Sequence, residues 1–465
     1  MWLTIDRQSQ QTLTQQIYRQ IQQMILSGEL KAEDKLPSTR KLSSQLAVSR
    51  NIVIDAYSQL IAEGYLKTYK GSGTVVTEGL QASDILLPAR QSSSLKSAAK
   101  TSPKVRIDFR TGVPALEHFP RKAWGKLYKE VCDQLPAEAL GYCEQSGIYE
   151  LREAIAHYLY RSRGLACDPA QIIITSGSTQ GLSLVSNLLR SNQKTVLVED
   201  PTHTGLRKVI TKAGCSIEGI PVDTNGLRTD QLVEKKNVSF IYTTPSHQYP
   251  MGSVLSIQRR LALVRYAEQN DCYVVEDDYD GEFRYEGHPV SSLYELKPER
   301  VIYLGSFSKI LAPALRLGFM ILPEQLLAQG KSLKMYSDVH TGALEQYTLA
   351  RFIQNGSFER YIWKMKKHYS RNRSLLLEQL NAHFPNQFTI LGHATGLHLV
   401  VRFYDKTFTK ETIETLESKG VRIYTTQGFY LDEDQANTHD VVLGYAHLSK
   451  DEIVEGVGLI RGEIF

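Results

Sequence analysis

Apolar residues recur at helical spacing in the N-terminal part of the chain. From Leu13 to Ile25 they return every three or four positions, and Gly28 ends the pattern, which predicts an amphipathic helix. Two shorter helical patterns begin after Ser38 and Ser49, and each serine can cap its helix by accepting a hydrogen bond from the first turn. Two short helices separated by a tight turn predict a helix-turn-helix unit.

The segments 65–69 and 74–76 then alternate like two strands around the sequence KGSG at 70–73. A glycine hairpin with a lysine at its tip predicts a wing that lies over phosphate groups or a minor groove. The third helix begins with Arg50 and Asn51, whose side chains can reach guanine and adenine in a major groove. A helical bundle with ordinary surface charges is the alternative, and the wing favours DNA binding over it.

A different pattern begins at residue 107. Short apolar runs alternate with helical stretches, which predicts an α/β fold with a buried, mainly parallel sheet. Ligands bind beyond the carboxyl ends of the strands in such sheets, so the residues that follow the strands are candidates for a site. The predicted strands are 172–175, 195–198, 240–243, 273–275 and 301–304.

Composition divides the chain and limits its partners. Residues 79–106 are rich in Ser, Ala and Lys and predict a flexible linker between a DNA-binding domain at 1–78 and an effector domain at 107–465. The net charge of +4 is too small to require nucleic acid, so a DNA site must be local. Five cysteines without CxxC spacing predict reduced thiols in the cytoplasm and no metal site. No apolar run approaches the roughly 20 residues of a membrane span, so no membrane partner is expected.

Polar residues with complementary chemistry follow several of the predicted strands. The loop 176–181 opens a helix whose backbone N–H groups can hold an anion. Asp277 and Tyr279 supply a carboxylate and a phenol, His203 a flat ring, and Lys309 an amine. Each of these features alone has an ordinary structural explanation. Together they form the set that a pyridoxal phosphate site needs, with the lysine as Schiff-base residue and the carboxylate beside the pyridine nitrogen.

The N-terminal sequence PSTRKLSSQLAVSRNIVIDAYSQLIAEGYLKTYKGSGTVV resembles the winged helix-turn-helix of the GntR family. The resemblance covers about residues 10–77, with helix, turn, helix and wing in order. It implies a double-stranded DNA operator as partner. The residues that it places against DNA are Ser38, Thr39, Arg40, Ser49, Arg50, Asn51, Lys70, Gly71, Ser72 and Gly73.

Residues 107–465 resemble the fold-type I aminotransferases, which have a mainly parallel sheet and a smaller C-terminal α/β subdomain. The resemblance implies that Lys309 is the Schiff-base lysine, that Asp277 pairs with the pyridine nitrogen, and that Tyr279 donates to the ring oxygen of pyridoxal phosphate. The other cofactor-binding residues that it implies are Ser178, Thr179, Gln180, His203, Gln248, Ser306, Ser308 and Arg316.

A GntR-like domain followed by an aminotransferase-like domain resembles the MocR-type regulators, and this architecture implies a head-to-tail homodimer. Three functions remain open: a regulator that senses pyridoxal phosphate and so vitamin B6 status, a regulator that senses an amino acid or amine, and a genuine aminotransferase. An amino-acid carboxylate is normally bound by an arginine, which the resemblance to these families places either in the C-terminal part or shortly after Pro201. At these places the chain has the segment 425–430 and Thr204-Gly205, neither of which contains an arginine. The first function is therefore favoured, with at most weak half-transamination. Arg207 and Arg422 lie close enough in sequence to keep the others open.

Overall fold

The computed structural model describes residues 3–69, 73–79, 105–233, 235–287, 290–392 and 395–464. Most of the predicted linker at 79–106 lies outside the described residues, and so do Lys70, Gly71 and Ser72. The chain divides into two compact units, residues 1–99 and 100–465, and each is described by itself.

The N-terminal unit is a three-helix winged fold. Ser38 caps the second helix by accepting a hydrogen bond from the Lys41 backbone at 3.3 Å. The prediction that the Ser49 hydroxyl caps the third helix is wrong, because Ser49 stands at the N-cap position but makes no capping hydrogen bond and stays exposed. The elements are α1 (Leu13–Leu26), α2 (Thr39–Leu46), α3 (Arg50–Ala62), β1 (Leu66–Tyr69) and β2 (Gly73–Val76).

A compact apolar core joins the three helices of this unit. Ala47 ends α2 in the left-handed conformation at φ 50°, and this turn lets α3 cross over α1. Val53 and Leu60 of α3 are fully buried against the isoleucines of α1. Tyr57 was not expected in this core; its ring is buried and its hydroxyl donates to the Pro37 carbonyl at 2.9 Å. Because these side chains bury one face of α3, Arg50 and Asn51 at its start stay exposed.

The C-terminal unit contains eleven helices and fourteen strands among its described residues. Its strands are β3 (Ile107–Asp108), β4 (Ile172–Thr175), β5 (Thr195–Asp200), β6 (Ser216–Asp223), β7 (Gly226–Leu227), β8 (Val238–Thr243), β9 (Tyr273–Asp278), β10 (Val301–Ser306), β11 (Gly318–Ile321), β12 (Phe388–Leu391), β13 (His398–Phe403), β14 (Val421–Arg422), β15 (Tyr424–Thr425) and β16 (Asp440–Gly444). Its helices are α4 (Arg121–Gln134), α5 (Tyr149–Arg163), α6 (Ser178–Leu188), α7 (Thr204–Lys212), α8 (Ile257–Gln269), α9 (Leu293–Leu296), α10 (Leu327–Asp338), α11 (Ala343–Gln354), α12 (Ser357–His383), α13 (Lys410–Ser418) and α14 (Lys450–Ile464).

The central sheet has eight strands in the order β4-β11-β10-β9-β8-β5-β6-β7. The five strands from β10 to β6 run parallel to their neighbours, as the sequence predicts. Strand β11 was not predicted and runs antiparallel between β10 and β4. The inner strands are buried on both faces, which explains why their sequences are continuous apolar runs rather than alternating ones.

A smaller antiparallel sheet in the order β12-β13-β16-β15 forms the C-terminal subdomain. Strand β3, at the start of the described part of the unit, pairs with β14, so Ile107 lies beside Val421. The parallel strands of the central sheet all end at one edge, and the loops after β5, β8, β9 and β10 therefore meet there. Within the described part of the chain, no helix has the length and apolar composition needed to span a membrane.

Candidate functional site

A cavity of about 170 Å³ opens at the carboxyl edge of the central sheet. It lies beyond the ends of β9 and β10 and beside the first turn of α6, where an α/β sheet is expected to bind its ligand. Six of the residues selected from the sequence line it together: Ser178, Thr179, His203, Asp277, Tyr279 and Lys309.

Lys309 extends into the cavity and donates a hydrogen bond from Nζ to the Gly112 carbonyl at 2.6 Å. Burial lowers the pKa of Lys309, with the Arg110 guanidinium acting in the same direction and the carboxylates of Asp280 and Asp277 opposing it. A lowered pKa increases the fraction of neutral amine, which is the nucleophilic form. Gly112 has φ +67°, which favours glycine, and a Cβ atom there would lie 2.9 Å from Nζ and displace the amine.

Asp277 is fully buried at the end of β9 and is only half satisfied. Its Oδ2 accepts a hydrogen bond from the Tyr242 hydroxyl at 2.8 Å, whereas its Oδ1 has no partner. Burial is the main cause that raises the pKa of Asp277 to about 7, and the neighbouring Asp278 and Asp280 add to it. A buried acceptor without a donor is costly, so this carboxylate is arranged for a donor that a ligand brings. A pyridinium N–H is such a donor.

Tyr279 belongs to a buried network that the sequence interpretation missed. His247 Nδ1 lies 2.9 Å from Asp280 Oδ2 and also 2.9 Å from the Tyr279 hydroxyl. If His247 carries its proton on Nδ1, this N–H is shared between the Asp280 carboxyl and the Tyr279 oxygen, which both accept from it. The hydroxyl proton of Tyr279 is then left free to donate to a ring oxygen in the cavity.

His203 is held in a defined tautomer at the start of α7. Its Nδ1 accepts a hydrogen bond from the Gly205 backbone at 3.0 Å, so the ring proton of the neutral form lies on Nε2. Burial lowers the pKa of His203, and the Lys309 ammonium contributes in the same direction. The ring is therefore neutral at physiological pH and lies 5.3 Å from the Tyr249 ring, centroid to centroid. A neutral flat ring in the cavity wall is suited to stacking.

The first turn of α6 is arranged to hold an anion. Gly177 precedes it at φ 113°, and a Cβ atom at Gly177 would lie 3.3 Å from Nη2 of Arg316. The guanidinium thus stands beside free backbone N–H groups at a helix N-terminus, a combination that binds phosphate. Arg316, Ser306 and Ser308 do not line the cavity itself, and the Ser306 hydroxyl accepts from the Ser308 backbone at 3.2 Å.

Two residues of the predicted set, Gln180 and Gln248, direct their side chains to other partners, and their contact with the cofactor stays a prediction. The Gln180 side chain points away from the cavity, where it accepts from the Ser176 backbone at 2.8 Å and donates to Asp338 at 2.8 Å. Gln248 is buried, and its amide donates to the carbonyls of Pro201 and Tyr249 at 2.8 Å each, so it fixes the loops around the cavity without lining it. Tyr249 and His398, which the sequence interpretation did not select, line the cavity instead.

These observations agree with the requirements of pyridoxal phosphate. The amine, the unpartnered carboxylate oxygen, the free phenol proton and the anion site at α6 belong to one cavity, in the described residues, and each has the chemistry of one part of that molecule. Bound there, the cofactor would supply an aldehyde that captures amines and a ring that withdraws electrons.

Replacing Asp277 with asparagine is expected to weaken cofactor binding without lowering the stability of the cofactor-free protein. The folded carboxyl keeps its proton up to about pH 7, whereas an unfolded one ionises near its usual pKa of about 3.9. This group therefore lowers the free energy of unfolding of the cofactor-free protein as the pH rises between those values. The cofactor-free variant should be at least as stable as the parent at about pH 8, and should bind pyridoxal phosphate about 10- to 100-fold more weakly because a charged hydrogen bond is lost.

Denaturant unfolding at two pH values and titration with pyridoxal phosphate measure both effects. Asp271→Asn is the matched control, because Asp271 is an exposed carboxylate that precedes the same strand and pairs with Arg300. An Asp277→Asn protein that binds the cofactor as tightly as the parent would refute the assignment of Asp277 to the pyridine nitrogen.

The predicted DNA-contacting residues within the described part form one exposed surface around the start of α3. Ser38, Arg40, Ser49 and Asn51 are exposed, as is Arg50, and Thr39 is half-exposed. Arg50 Nε lies 3.3 Å from the Thr39 hydroxyl, so the first turns of α2 and α3 adjoin each other. Gly73 of the wing lies against Lys35, which the sequence interpretation missed: a Cβ atom at Gly73 would lie 2.9 Å from Cε of this exposed lysine.

Comparison with known proteins agrees with both units. Residues 13–76 match the family described as bacterial regulatory proteins, gntR family, and residues 106–458 match aminotransferase class I and II. The C-terminal unit is similar to the crystal structure of an archaeal alanine:glyoxylate aminotransferase, with a TM-score of 0.71 and 30% identity over 77% of this chain and 90% of the other.

Two relatives resemble the whole chain. The HTH-type pyridoxine biosynthesis transcriptional regulator PdxR of Corynebacterium glutamicum is 32% identical over 94% of this chain and 93% of its own length. The probable rhizopine catabolism regulatory protein MocR of Rhizobium meliloti is 31% identical over 99% of this chain and 95% of its own length. With a GntR DNA-binding domain fused to an aminotransferase class I and II domain, the chain belongs to the MocR-type transcriptional regulators.

Proposed function

We propose that this regulator responds to pyridoxal phosphate itself, so that binding of the cofactor in the C-terminal cavity alters the affinity of the N-terminal domain for its operator. Lys309 would anchor the cofactor, with Asp277 at the pyridine nitrogen, Tyr279 at the ring oxygen and His203 against the ring. Ser178, Thr179 and Arg316 would hold the phosphate, with Ser306 and Ser308 supporting that end. Vitamin B6 supply would then control transcription.

The observation that carries the proposal is the charge of the cavity wall. Among the described residues that line the cavity, Lys309 is the only one with a cationic side chain. An amino-acid carboxylate entering the cavity would be desolvated without an arginine to pair with it. Charge-assisted hydrogen bonds contribute about 1.5–3 kcal/mol each, so the missing pair weakens capture by on the order of 100-fold or more.

The two arginines that the sequence left open are engaged elsewhere. Arg207 donates to the backbone carbonyls of Tyr430 at 2.7 Å and Gly428 at 3.2 Å. Arg422 is paired with Glu417 at 2.7 Å and lies 3.7 Å from Asp108. Either would have to lose these partners before it could bind a substrate carboxylate.

A regulator that senses an amino acid or amine is the second candidate, and Arg110 favours it. The charge of Arg110 is close enough to act on both Lys309, whose pKa is lowered mainly by burial, and Tyr249, whose pKa burial raises to about 12 against the effect of Arg110, and the side chain of Arg110 is exposed. The names of the two relatives divide in the same way, since one refers to pyridoxine biosynthesis and the other to rhizopine catabolism. Arg110 is therefore the residue that distinguishes the two candidates.

Turnover as an aminotransferase is the least favoured function. A transaminase must hold the carboxylate of its substrate in one orientation throughout the reaction. Lys309 and Tyr279 can move protons near the cofactor, but without a carboxylate clamp a substrate would be held loosely. We expect no physiological transamination, and at most slow conversion in a single half-reaction. The active form is proposed to be a head-to-tail homodimer on DNA.

Operator binding measured in four states tests the choice of effector. The states are cofactor-free protein, protein with pyridoxal phosphate, and the latter with millimolar common amino acids or with GABA. We expect pyridoxal phosphate alone to change the operator affinity, with little further change on adding any amino compound. The visible absorbance of the cofactor, recorded in parallel, reports whether the added compound has reacted at the site.

Arg110→Ala provides the discriminating variant. If pyridoxal phosphate is the effector, this variant responds to the cofactor as the parent does. An amino compound that shifts both the spectrum and the DNA affinity of the parent at micromolar concentration, and does neither in Arg110→Ala, would establish the second candidate and overturn the first.

A further inference from the structure

A second cluster of polar side chains lies outside the cofactor cavity and has no role in it. Glu117 and His118 form a single 3-10 turn before α4, and His368 lies in the middle of α12. Glu117 and His368 are 251 positions apart in the chain, yet the ligand atoms of the three side chains all lie within 4.8 Å of one another. The His118 and His368 rings meet edge to face with centroids 4.4 Å apart.

His368 presents an unpaired nitrogen to this cluster. Its Nε2 is buried and makes no hydrogen bond, and the other side of the ring lies beside the Ala446 backbone. Nδ1 is the ring nitrogen available to donate to a backbone carbonyl there. Histidines that bind metals in proteins are commonly held in this way, with one nitrogen donating to a backbone carbonyl and the other bearing the lone pair that faces the ion.

The remaining two side chains complete a set of three ligands. His118 Nε2 lies 3.8 Å from Glu117 Oε1, too far for a hydrogen bond, and the Glu117 side chain is 60% exposed and free to rotate. Two imidazoles and one carboxylate, with a water as fourth ligand, are a common ligand set for Zn²⁺. In a tetrahedral site with bonds of about 2.1 Å the ligand atoms are about 3.4 Å apart, so closure requires movements of only about 1 Å.

The residues around this cluster leave it open to solvent and determine how strongly it should bind a metal ion. Glu117 and His118 line an open cavity of about 530 Å³, which can supply the fourth ligand. The other charged groups that line this cavity are cationic and oppose a metal ion: Arg121, Lys122, Arg360 and Lys364. Arg360 is turned to the Asn355 carbonyl at 3.2 Å and the Ser357 hydroxyl at 2.9 Å. A site of this composition should be weaker than structural sites that use cysteine thiolates.

We propose that Glu117, His118 and His368 bind one Zn²⁺ per chain, with water as the fourth ligand. The ion would join the segment before α4 to the long helix α12. This inference does not depend on the identity of the effector, because none of the three residues lines the cofactor cavity.

Zinc titration of metal-free full-length protein, by calorimetry or equilibrium dialysis with zinc chloride, tests the proposal. We expect one zinc ion per chain and a rise in melting temperature when zinc is added. His118→Gln and Glu117→Gln should each weaken zinc binding by about tenfold or more, because a three-ligand set loses one member. Both side chains are partly exposed, so these substitutions should leave the fold intact.

His157→Gln is the matched control, because His157 is an exposed histidine of α5 outside the cluster. It should bind zinc as the parent does. Cobalt chloride provides a second measurement, since Co²⁺ with four ligands absorbs strongly in the visible and the band should be absent in His118→Gln. No zinc binding by the parent, or equal binding by the parent and His118→Gln, would overturn the proposal.

Discussion

Replacing Lys309 with alanine is expected to abolish covalent attachment of pyridoxal phosphate and with it the visible absorbance of the purified protein. The effect should be complete, because Nζ is the only amine among the described residues that line the cavity. The fold should survive, since the side chain makes one hydrogen bond, to the Gly112 carbonyl, and that carbonyl lies at the cavity, where water can replace the amine. Borohydride reduction followed by peptide mass mapping measures the attachment directly.

Lys331→Ala is the control for this experiment. Lys331 lies in α10 and interacts with Glu144 at 3.5 Å, outside the cavity, so its loss should leave the colour and the labelled peptide unchanged. A reduced adduct on a lysine other than Lys309 in the parent protein would refute the assignment. Retained colour in Lys309→Ala would do the same.

The second large effect is expected at the DNA surface. Arg50→Ala should weaken binding to the specific operator by about 1–3 kcal/mol, or roughly 5- to 150-fold, if the guanidinium reads a base in the major groove. Its Nε already interacts with the Thr39 hydroxyl at 3.3 Å, which restrains the side chain at the start of α3 before DNA binds. Binding to random DNA should fall much less, because the loss of base contacts affects only the specific complex.

Arg19→Ala removes the same charge from an exposed position of α1 and serves as the control. It should change specific and random binding little and to the same extent. Fluorescence anisotropy with an operator duplex and a scrambled duplex, at one fixed salt concentration, compares the variants. Equal losses on both duplexes for Arg50→Ala would mean that Arg50 contacts phosphate rather than a base.

The order of elements and the type of fold followed from the sequence because they depend on local patterns. The buried strands are visible in the sequence as apolar runs. The helix-turn-helix is visible as apolar residues at helical spacing with capping residues before the helices. Strand β11 was not predicted, because Gly318–Ile321 is short and its antiparallel position depends on pairing with β10 and with β4, which is distant in sequence. Ser49 occupies the N-cap position of α3, but its hydroxyl makes no capping hydrogen bond. The residue type and its position therefore do not determine the direction of the hydroxyl.

Residues of the cavity were predictable where they lie at or shortly after the end of a strand, as Asp277, Tyr279 and Lys309 do. They were not predictable where side-chain direction decides. Within the sequence TPSHQYPMG, the interpretation chose Gln248, although its amide turns to backbone carbonyls and the adjacent His247 joins Tyr279. Tyr242 was part of a predicted strand, but nothing in the pattern of an all-buried strand shows which side chain reaches a carboxylate.

The hydrogen bonds of Arg207 bear on how a protein of this lineage could acquire a new effector. Its guanidinium holds two carbonyls of the segment 428–430, and the Thr204 hydroxyl donates to one of them, Gly428, at 2.7 Å. A mutation that redirected Arg207 toward a ligand would strip partners from this segment, whose Phe429 ring packs against Tyr249 in the cavity wall. Recruiting Arg207 to bind an amino-acid carboxylate would therefore require coordinated changes in two distant parts of the sequence. Selection acting one substitution at a time would meet a barrier there, whereas an arginine introduced at Gly428 itself would avoid it.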